Sequence, residues 1–192
     1  RDLGMTDFTF ENKTEAGFDY AAGYRESGEP VDGGRKMHPA FPAGGLGTAM
    51  DMTSFLTKLT TAFNSSTPGF PISHDTAIHM LRRVDRGSQK FMGAGMGLGI
   101  FISEAGPNKL AIHQGANDGF RCLFVHCFTG PDRGKGFCVH CNAELNGIFF
   151  IAEVAHILFH ELKIRGVYEE KFRQNFSAAD IPSEQIVNIG YK

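Results

Sequence analysis

A chain of 192 residues, 42% hydrophobic and 21% charged, has the composition of one soluble globular domain that can bury roughly 70% of its unfolded surface without staples. Its net charge of −2 gives no electrostatic reason to expect nucleic acid or an anionic membrane surface as partner. The longest apolar candidate, Gly147 to Leu162, is interrupted by Glu153, His156, His160 and Glu161, so no membrane span is expected.

In chain order, the first strand signal is Tyr20–Tyr24. A helix starts near Thr48, where Thr48-Ala49-Met50-Asp51 has the form of a capping box and Met52, Phe55, Leu56 and Leu59 follow at helical spacing. A second helix begins near Ser73 and runs through Ile78 and Leu81 to Arg82-Arg83, whose cations suit the negative end of a helix dipole. Strand signals then come at Gly97–Ser103, Lys109–Ala116, Phe120–Phe128 and Gly136–Asn142. The last two flank Thr129-Gly130-Pro131-Asp132-Arg133-Gly134-Lys135, a turn-rich connection that predicts a hairpin. The final helix, Ile148 to Lys163, has Ile148, Ile151, Ala152, Ala155, Leu158, Phe159 and Leu162 on one broad face.

Successive hairpins followed by a long apolar-faced helix predict an α+β fold, an antiparallel β-sheet covered by helices. Residues 1–168 form its domain, and residues 169–192, with weak periodicity, form a tail or peripheral element. The chain starts at Arg1 with neither an initiator Met nor a signal-like segment, and reads as a piece of something longer or a processed product. Four cysteines in a chain of this size do not make a disulfide framework. Three Asn-x-Ser/Thr triplets, at Asn12, Asn64 and Asn175, are compatible with secretion but do not fix the compartment.

The most informative stretch is His113-Gln114-Gly115-Ala116-Asn117-Asp118-Gly119-Phe120, a titratable side chain near a strand end beside glycines that let backbone approach a ligand. Read from its own residues, His113 is a strand histidine that hydrogen-bonds a neighbour. Three other segments change that reading. Leu3-Gly4-Met5-Thr6-Asp7-Phe8-Thr9-Phe10, Pro42-Ala43-Gly44-Gly45-Leu46-Gly47-Thr48-Ala49-Met50-Asp51-Met52 and Gly95-Met96-Gly97-Leu98-Gly99, with the His113 stretch, resemble in order the C-terminal elements of the serine β-lactamase-like family. That family includes class C β-lactamases, penicillin-binding D-peptidases and esterases.

The resemblance implies a β-lactamase/transpeptidase-like sheet, here incomplete, with the helical N-terminal half absent. It implies that His113 faces substrate and nucleophile as a polar or cationic group. It makes the Ala116 N–H an oxyanion donor, with Gly115 allowing close approach and Gln114 and Asn117 binding substrate. A preorganised N–H aimed at developing negative charge lowers an acyl-transfer barrier by a few kcal/mol, and histidine can shift a proton near neutral pH. The substrate is then a small-molecule or peptide acyl compound: a β-lactam, a D-amino-acid peptide or an ester.

The family's nucleophile does not appear. Ser54-Phe55-Leu56-Thr57 is not Ser-x-x-Lys, Ser65 and Ser66 have no lysine three residues on, and Ser88-Gln89-Lys90 is one residue short. No Tyr-x-Asn occurs at Tyr20, Tyr24, Tyr168 or Tyr191. Both elements precede Leu3 in the family's order, so the chain by itself is expected to be inactive. A second reading is a non-catalytic β-lactamase-like scaffold used for binding or assembly. Loss of a covering half also leads us to expect self-association of the fragment.

No cofactor is expected. The glycines at 93, 95, 97 and 99 lack dinucleotide-fingerprint spacing and suggest a strand bare on one face, against which a helix packs. No metal is expected either, although if Phe128 pairs with Phe137, Cys127 falls opposite Cys138 with His140 on the same face, a third reading as a zinc-stabilised module or a cross-strand disulfide. Buried free cysteine is the simpler account. Glu153, His156 and His160 share a helix face that is expected to be solvated, as are Arg82-Arg83 and Arg133/Lys135.

Overall fold

The computed structural model describes residues 2–10, 20–31, 43–84, 90–91, 94–104 and 106–165. Helix α1 (Ala49–Asn64) starts where its cap predicts: the Thr48 hydroxyl accepts the Asp51 N–H and the Asp51 carboxylate accepts the Thr48 N–H. Helix α2 (His74–Leu81) is capped by Ser73, whose hydroxyl accepts the Thr76 N–H at 3.0 Å. It stops before the arginines, because Arg82 is already extended. Arg83 is not simply solvated. Its guanidinium lies across Gly95, where a Cβ would come within 2.1 Å of its Nε.

Strands β1 (Lys90–Phe91), β2 (Ala94–Met96), β3 (Phe101–Ser103), β4 (Lys109–Asn117), β5 (Phe120–Thr129) and β6 (Gly136–Cys141) form one antiparallel sheet in chain order. Helix α3 (Leu145–Glu161) follows, starting three residues before the predicted Ile148. Both faces of the sheet are covered. Leu56, Leu59 and Leu81 of α1 and α2 pack on Ile102, Ala111, Phe124 and Phe128, whereas Ile151, Ala155 and Phe159 of α3 pack on Leu110, Ile112, Leu123, Val125 and Val139. Alternation along β5 sends Leu123, Val125 and Cys127 to one layer and Phe124 and Phe128 to the other. Two buried faces explain why β5 is apolar at successive positions from Cys122 to Val125 and again at Cys127–Phe128.

Three local expectations are corrected. Tyr20–Tyr24 is not a strand; Tyr24 alone makes bridges, to Pro30 and Ala143. Gly97–Ser103 is not one strand, because the Gly97 N–H donates to Ile100 O at 2.7 Å and Gly99 takes φ +73°, which turns the chain between β2 and β3. The expected close approach of a helix survives there, since a Cβ on Gly97 would meet Met80 O at 2.8 Å.

The β5–β6 register is the third. Phe137 stands opposite Val125, not Phe128. The connection closes early because the Cys127 N–H donates to Lys135 O and the Gly134 N–H to Cys127 O, both at 2.8 Å. Asp132 holds this turn. Its buried carboxylate accepts from Arg165 Nε at 3.0 Å, Asn108 Nδ2 at 2.8 Å and Lys135 Nζ at 3.0 Å, so Lys135 is tied rather than free. The Arg165 guanidinium, with those other donors, keeps this carboxyl well below the usual carboxylate range.

Among the described residues no helix is long and apolar enough to cross a membrane. The proposed tail at 169–192, and the triplets at Asn12 and Asn175, lie outside the described residues.

Candidate functional site

Strand β4 carries the site. Its hairpin to β5 closes through Asp118-Gly119, with Asn117 opposite Phe120 and Gly119 at φ +76°. Of this Asp-Gly pair only Gly119 takes positive φ, a conformation glycine adopts at no steric cost at the second central position of a two-residue turn. The register then follows by counting: Gly115 opposite Cys122 and His113 opposite Phe124. His113 is therefore in the middle of β4 and not near its end.

On its other side β4 is covered only in part. Strand β3 pairs with Leu110, Ala111 and Ile112 and stops there. From His113 to Asn117, no strand among the described residues pairs with that side of β4. Among the described residues the His113–Asn117 backbone is thus an open edge, backed by β5 and β6.

Three of the four sequence segments singled out above meet at that end of the sheet. The Asn117 side-chain amide donates to Ala43 O at 2.8 Å. Leu46 and Thr9 exchange both backbone hydrogen bonds at 2.8 Å. The Asp7 N–H donates to Asp51 Oδ1 at 3.3 Å. Glycine is needed in the loop because Phe8 packs on it: a Cβ on Gly45 or Gly47 would come within 2.8 Å or 2.6 Å of the ring. The fourth segment, Gly95 to Gly99, lies apart at the β2–β3 turn against α2, where the Leu98 N–H reaches Met80 O. Pro42 lies outside the described residues.

The His113 ring is half-buried, 6.0 Å from the Phe124 ring and 5.9 Å from Phe101. Burial pulls its pKa below the ordinary histidine value, against a smaller opposing effect of the Gln114 backbone. A neutral ring can donate from one nitrogen and accept at the other. Gln114 is half-buried and Ala116 exposed. Asn117 has its Nδ2 engaged by Ala43, and its Oδ1 has no hydrogen-bond partner among the described residues.

All four cysteines are free. The register correction takes Cys127 to the α3 side of the sheet and puts Cys138 on the α1 side, so Cys127, Cys138 and His140 do not share a face, and neither the zinc reading nor a Cys127–Cys138 bridge stands. Sequence reasoning missed Cys122. It lies opposite Gly115, and a Cβ on Gly115 would stand 2.4 Å from its Sγ. Counting outward from Asp118-Gly119 would have found it. Burial pushes the Cys122 thiol up, and the Cys127 and Cys138 thiols up to about 12. On α3, His160 is exposed at 3.4 Å from Glu161 and Glu153 is exposed, while His156 is half-buried. Among the described residues no three His, Cys, Asp or Glu side chains stand close enough together to hold a metal ion as they are placed.

No protein-family model matches the chain, and no curated protein matches it. Solved structures do. The octameric penicillin-binding protein homologue from Pyrococcus abyssi is similar with a TM-score of 0.58 at 20% identity, over 82% of this chain and 35% of that protein. SurE is similar with a TM-score of 0.57 at 22% identity, over 85% of this chain and 38% of that one. The chain thus spans a little over a third of the length of either structure. At these identities the likeness is one of fold: an α+β arrangement like that of a penicillin-binding protein homologue.

Proposed function

We propose that this chain is the C-terminal part of a β-lactamase-like serine hydrolase, and that it contributes the His-x-Gly strand and one oxyanion-hole donor to an acyl-transfer site completed by a helical half. The observation that carries the reading is the open edge of β4 from His113 to Asn117, tied through Asn117 to the Ala43–Leu46 loop. In a hairpin closed by a two-residue turn, the pair flanking the turn exchanges backbone hydrogen bonds and the next pair does not. The Ala116 N–H, in that next pair, points away from β5 into the open edge. An amide held there by a buried sheet needs no reorganisation when charge develops on a carbonyl oxygen. Gly115 keeps side-chain bulk off the strand beside it.

In the complete site, a serine hydroxyl adds to the acyl carbonyl and the Ala116 N–H holds the resulting oxyanion. Collapse expels the leaving group with a proton, and water then releases the acid. His113, beside the Phe101 and Phe124 rings, orients substrate or passes that proton. Gln114 and the Asn117 amide flank the same edge as substrate contacts. The sequence resemblance implies a β-lactam, D-peptide or ester as substrate class, and the likeness to a penicillin-binding protein homologue supports the fold that such a site needs. Self-association of the fragment through the surface its missing half covers belongs to the same reading, and a clean monomer in sedimentation would count against that part.

The nucleophile is the weak link, since no Ser-x-x-Lys occurs among the 192 residues. A second reading is a scaffold kept for binding or assembly, which predicts a parent that also lacks Ser-x-x-Lys. The 192-residue chain incubated with a chromogenic β-lactam and a p-nitrophenyl ester should give no stoichiometric burst. The longer parent should give one, and Ala116→Pro, which removes the N–H, should abolish it. A burst from the short chain would refute the assignment of half a site, and a parent lacking Ser-x-x-Lys would leave the scaffold reading.

A further inference from the structure

A cavity of about 360 Å³ lies between the C-terminal half of α1 and the β5–β6 turn, and plays no part in the proposed acyl chemistry. That volume falls within the range typical of small-molecule sites, about 300–1,000 Å³. Thr60, Thr61, Asn64 and Ser65 line it from the helix, His126 from the sheet and Arg133 from the turn.

His126 is the unusual member. It is 4% exposed, yet its Nε2 has no hydrogen-bond partner among the described residues. A buried ring nitrogen left unpaired costs free energy, and a group bound beside it removes that cost. The Nδ1 side of the ring lies against Gly136, where a Cβ would come within 2.5 Å. Burial lowers the pKa to about 4, so at neutral pH the ring is uncharged and presents at Nε2 either an N–H or a lone pair. A hydroxyl, which both donates and accepts, pairs with either form.

The helix wall selects in the same direction. The Thr61 and Ser65 hydroxyls donate to helix carbonyls at 2.9 and 3.0 Å. Asn64 Nδ2 donates to the carbonyls of Thr60 and Phe128 at 2.7 and 2.8 Å. With those hydrogens committed, the three side chains offer a ligand only oxygen lone pairs, so the ligand must supply hydroxyl hydrogens. Arg133 supplies positive charge. Its contact with Asn64 Oδ1, at 3.5 Å, is at the long limit for a hydrogen bond, which leaves the guanidinium able to take a carboxylate. The α1 C-terminus lies beside the same space, and its negative end disfavours a second negative charge.

We propose that this cavity binds a polyhydroxylated monocarboxylate, a sugar acid, with its carboxylate on Arg133 and a hydroxyl on His126 Nε2. Bound there, the ligand bridges α1 to the β5–β6 turn and stabilises the fold by mass action. The site does not depend on the acyl-transfer reading.

Calorimetric titration of the 192-residue chain with gluconate, at pH 7 and fixed ionic strength, tests it. The heat should saturate at one molecule per chain. Sorbitol lacks the carboxylate and hexanoate lacks the hydroxyls, and each should bind about tenfold or more weaker. Arg133→Gln, at an exposed position, and His126→Leu should each weaken gluconate by a similar factor. Lys109→Gln, which removes a cation paired with Glu104 elsewhere on the sheet, should leave the affinity unchanged. Circular dichroism checks that each variant is folded. No saturable heat, as when water alone fills the cavity, overturns the proposal. So does sorbitol or hexanoate binding as tightly as gluconate, or equal affinity in Arg133→Gln.

Discussion

Asn117 donates its side-chain amide to the carbonyl of Ala43 at 2.8 Å, joining positions 74 apart in the chain. The bond ties the end of β4 to a loop whose Leu46 is in turn paired with Thr9, so one amide couples the open edge to two remote segments. Asn117→Ala should lower stability by about 1 kcal/mol, the usual net worth of one such bond. Hydrogen exchange gives the sharper readout: the Thr9 and Leu46 amides should lose protection ahead of the β5 amides. Uniform loss across the chain, or none, would show that the loop is held by other contacts.

The Thr48–Asp51 capping box is the next most specific link. Asp51 is 3% exposed, and its carboxylate accepts the Thr48 N–H and hydroxyl, both at 2.9 Å. Burial works against its charge, but those donors and the Asp7 N–H outweigh it and hold the pKa below its ordinary 3.8. A depressed carboxyl stabilises the fold above the ordinary value and loses that contribution as pH falls through the folded value. Thr48→Ala should cost about 1 kcal/mol at pH 7. In urea titrations that difference should shrink at pH values low enough to protonate Asp51, and a constant difference would argue that the box is not electrostatic.

Glycine positions separate turn chemistry from packing. Gly119 and Gly134 both take positive φ, +76° and +90°. A Cβ on Gly134 meets open space, whereas one on Gly119 would lie 2.7 Å from Val31 Cγ2 and 2.8 Å from the Gly23 backbone. Gly134→Ala should therefore cost about 1 kcal/mol, the backbone effect alone. Gly119→Ala adds a clash on both sides and should cost clearly more, read as a larger drop in urea midpoint. Equal costs would mean that the 20–31 segment yields freely around the hairpin turn.

Legibility in the sequence followed the range of the interactions. Thr48 and Ser73 announce α1 and α2 because caps are local chemistry satisfied within three residues. The extents of β4 and β5 were legible for the same reason, through alternation and the Asp118-Gly119 turn. The β5–β6 register was not, because a turn of that length fits several pairings and Asp132, anchored by Arg165 and Asn108, selects one. That selection reaches across 33 and 24 positions, beyond any local pattern. The candidate site divides along the same line. His113 and Asn117 stood out in the sequence, while the open edge depends on where the short β3 ends and Cys122 on a register that had to be counted.

His126 provides the clearest pH test. It is 4% exposed on β5, opposite Ala111 and Gly136, and burial lowers its pKa from 6.5 to about 4. Its Nε2 has no hydrogen-bond partner among the described residues, so nothing compensates a proton placed there. The unfolded chain binds that proton near pH 6.5 and the folded one only near pH 4, so stability is complete above about 6.5 and is lost as pH falls toward about 4. The loss from this group should reach about 3 kcal/mol at 1.36 kcal/mol per pH unit. His113, shifted in the same direction, adds to the same window, so the wild-type slope alone does not identify the group. His126→Leu, which keeps an apolar group in the site, should flatten most of the fall between pH 6.5 and 4 in urea midpoints. Asp51 and Asp132, held low in the folded state, add to the loss only from about pH 5 downward, so the fall between about 6.5 and 5 belongs to the histidines. A variant as pH-sensitive as the parent would place the titrating group elsewhere.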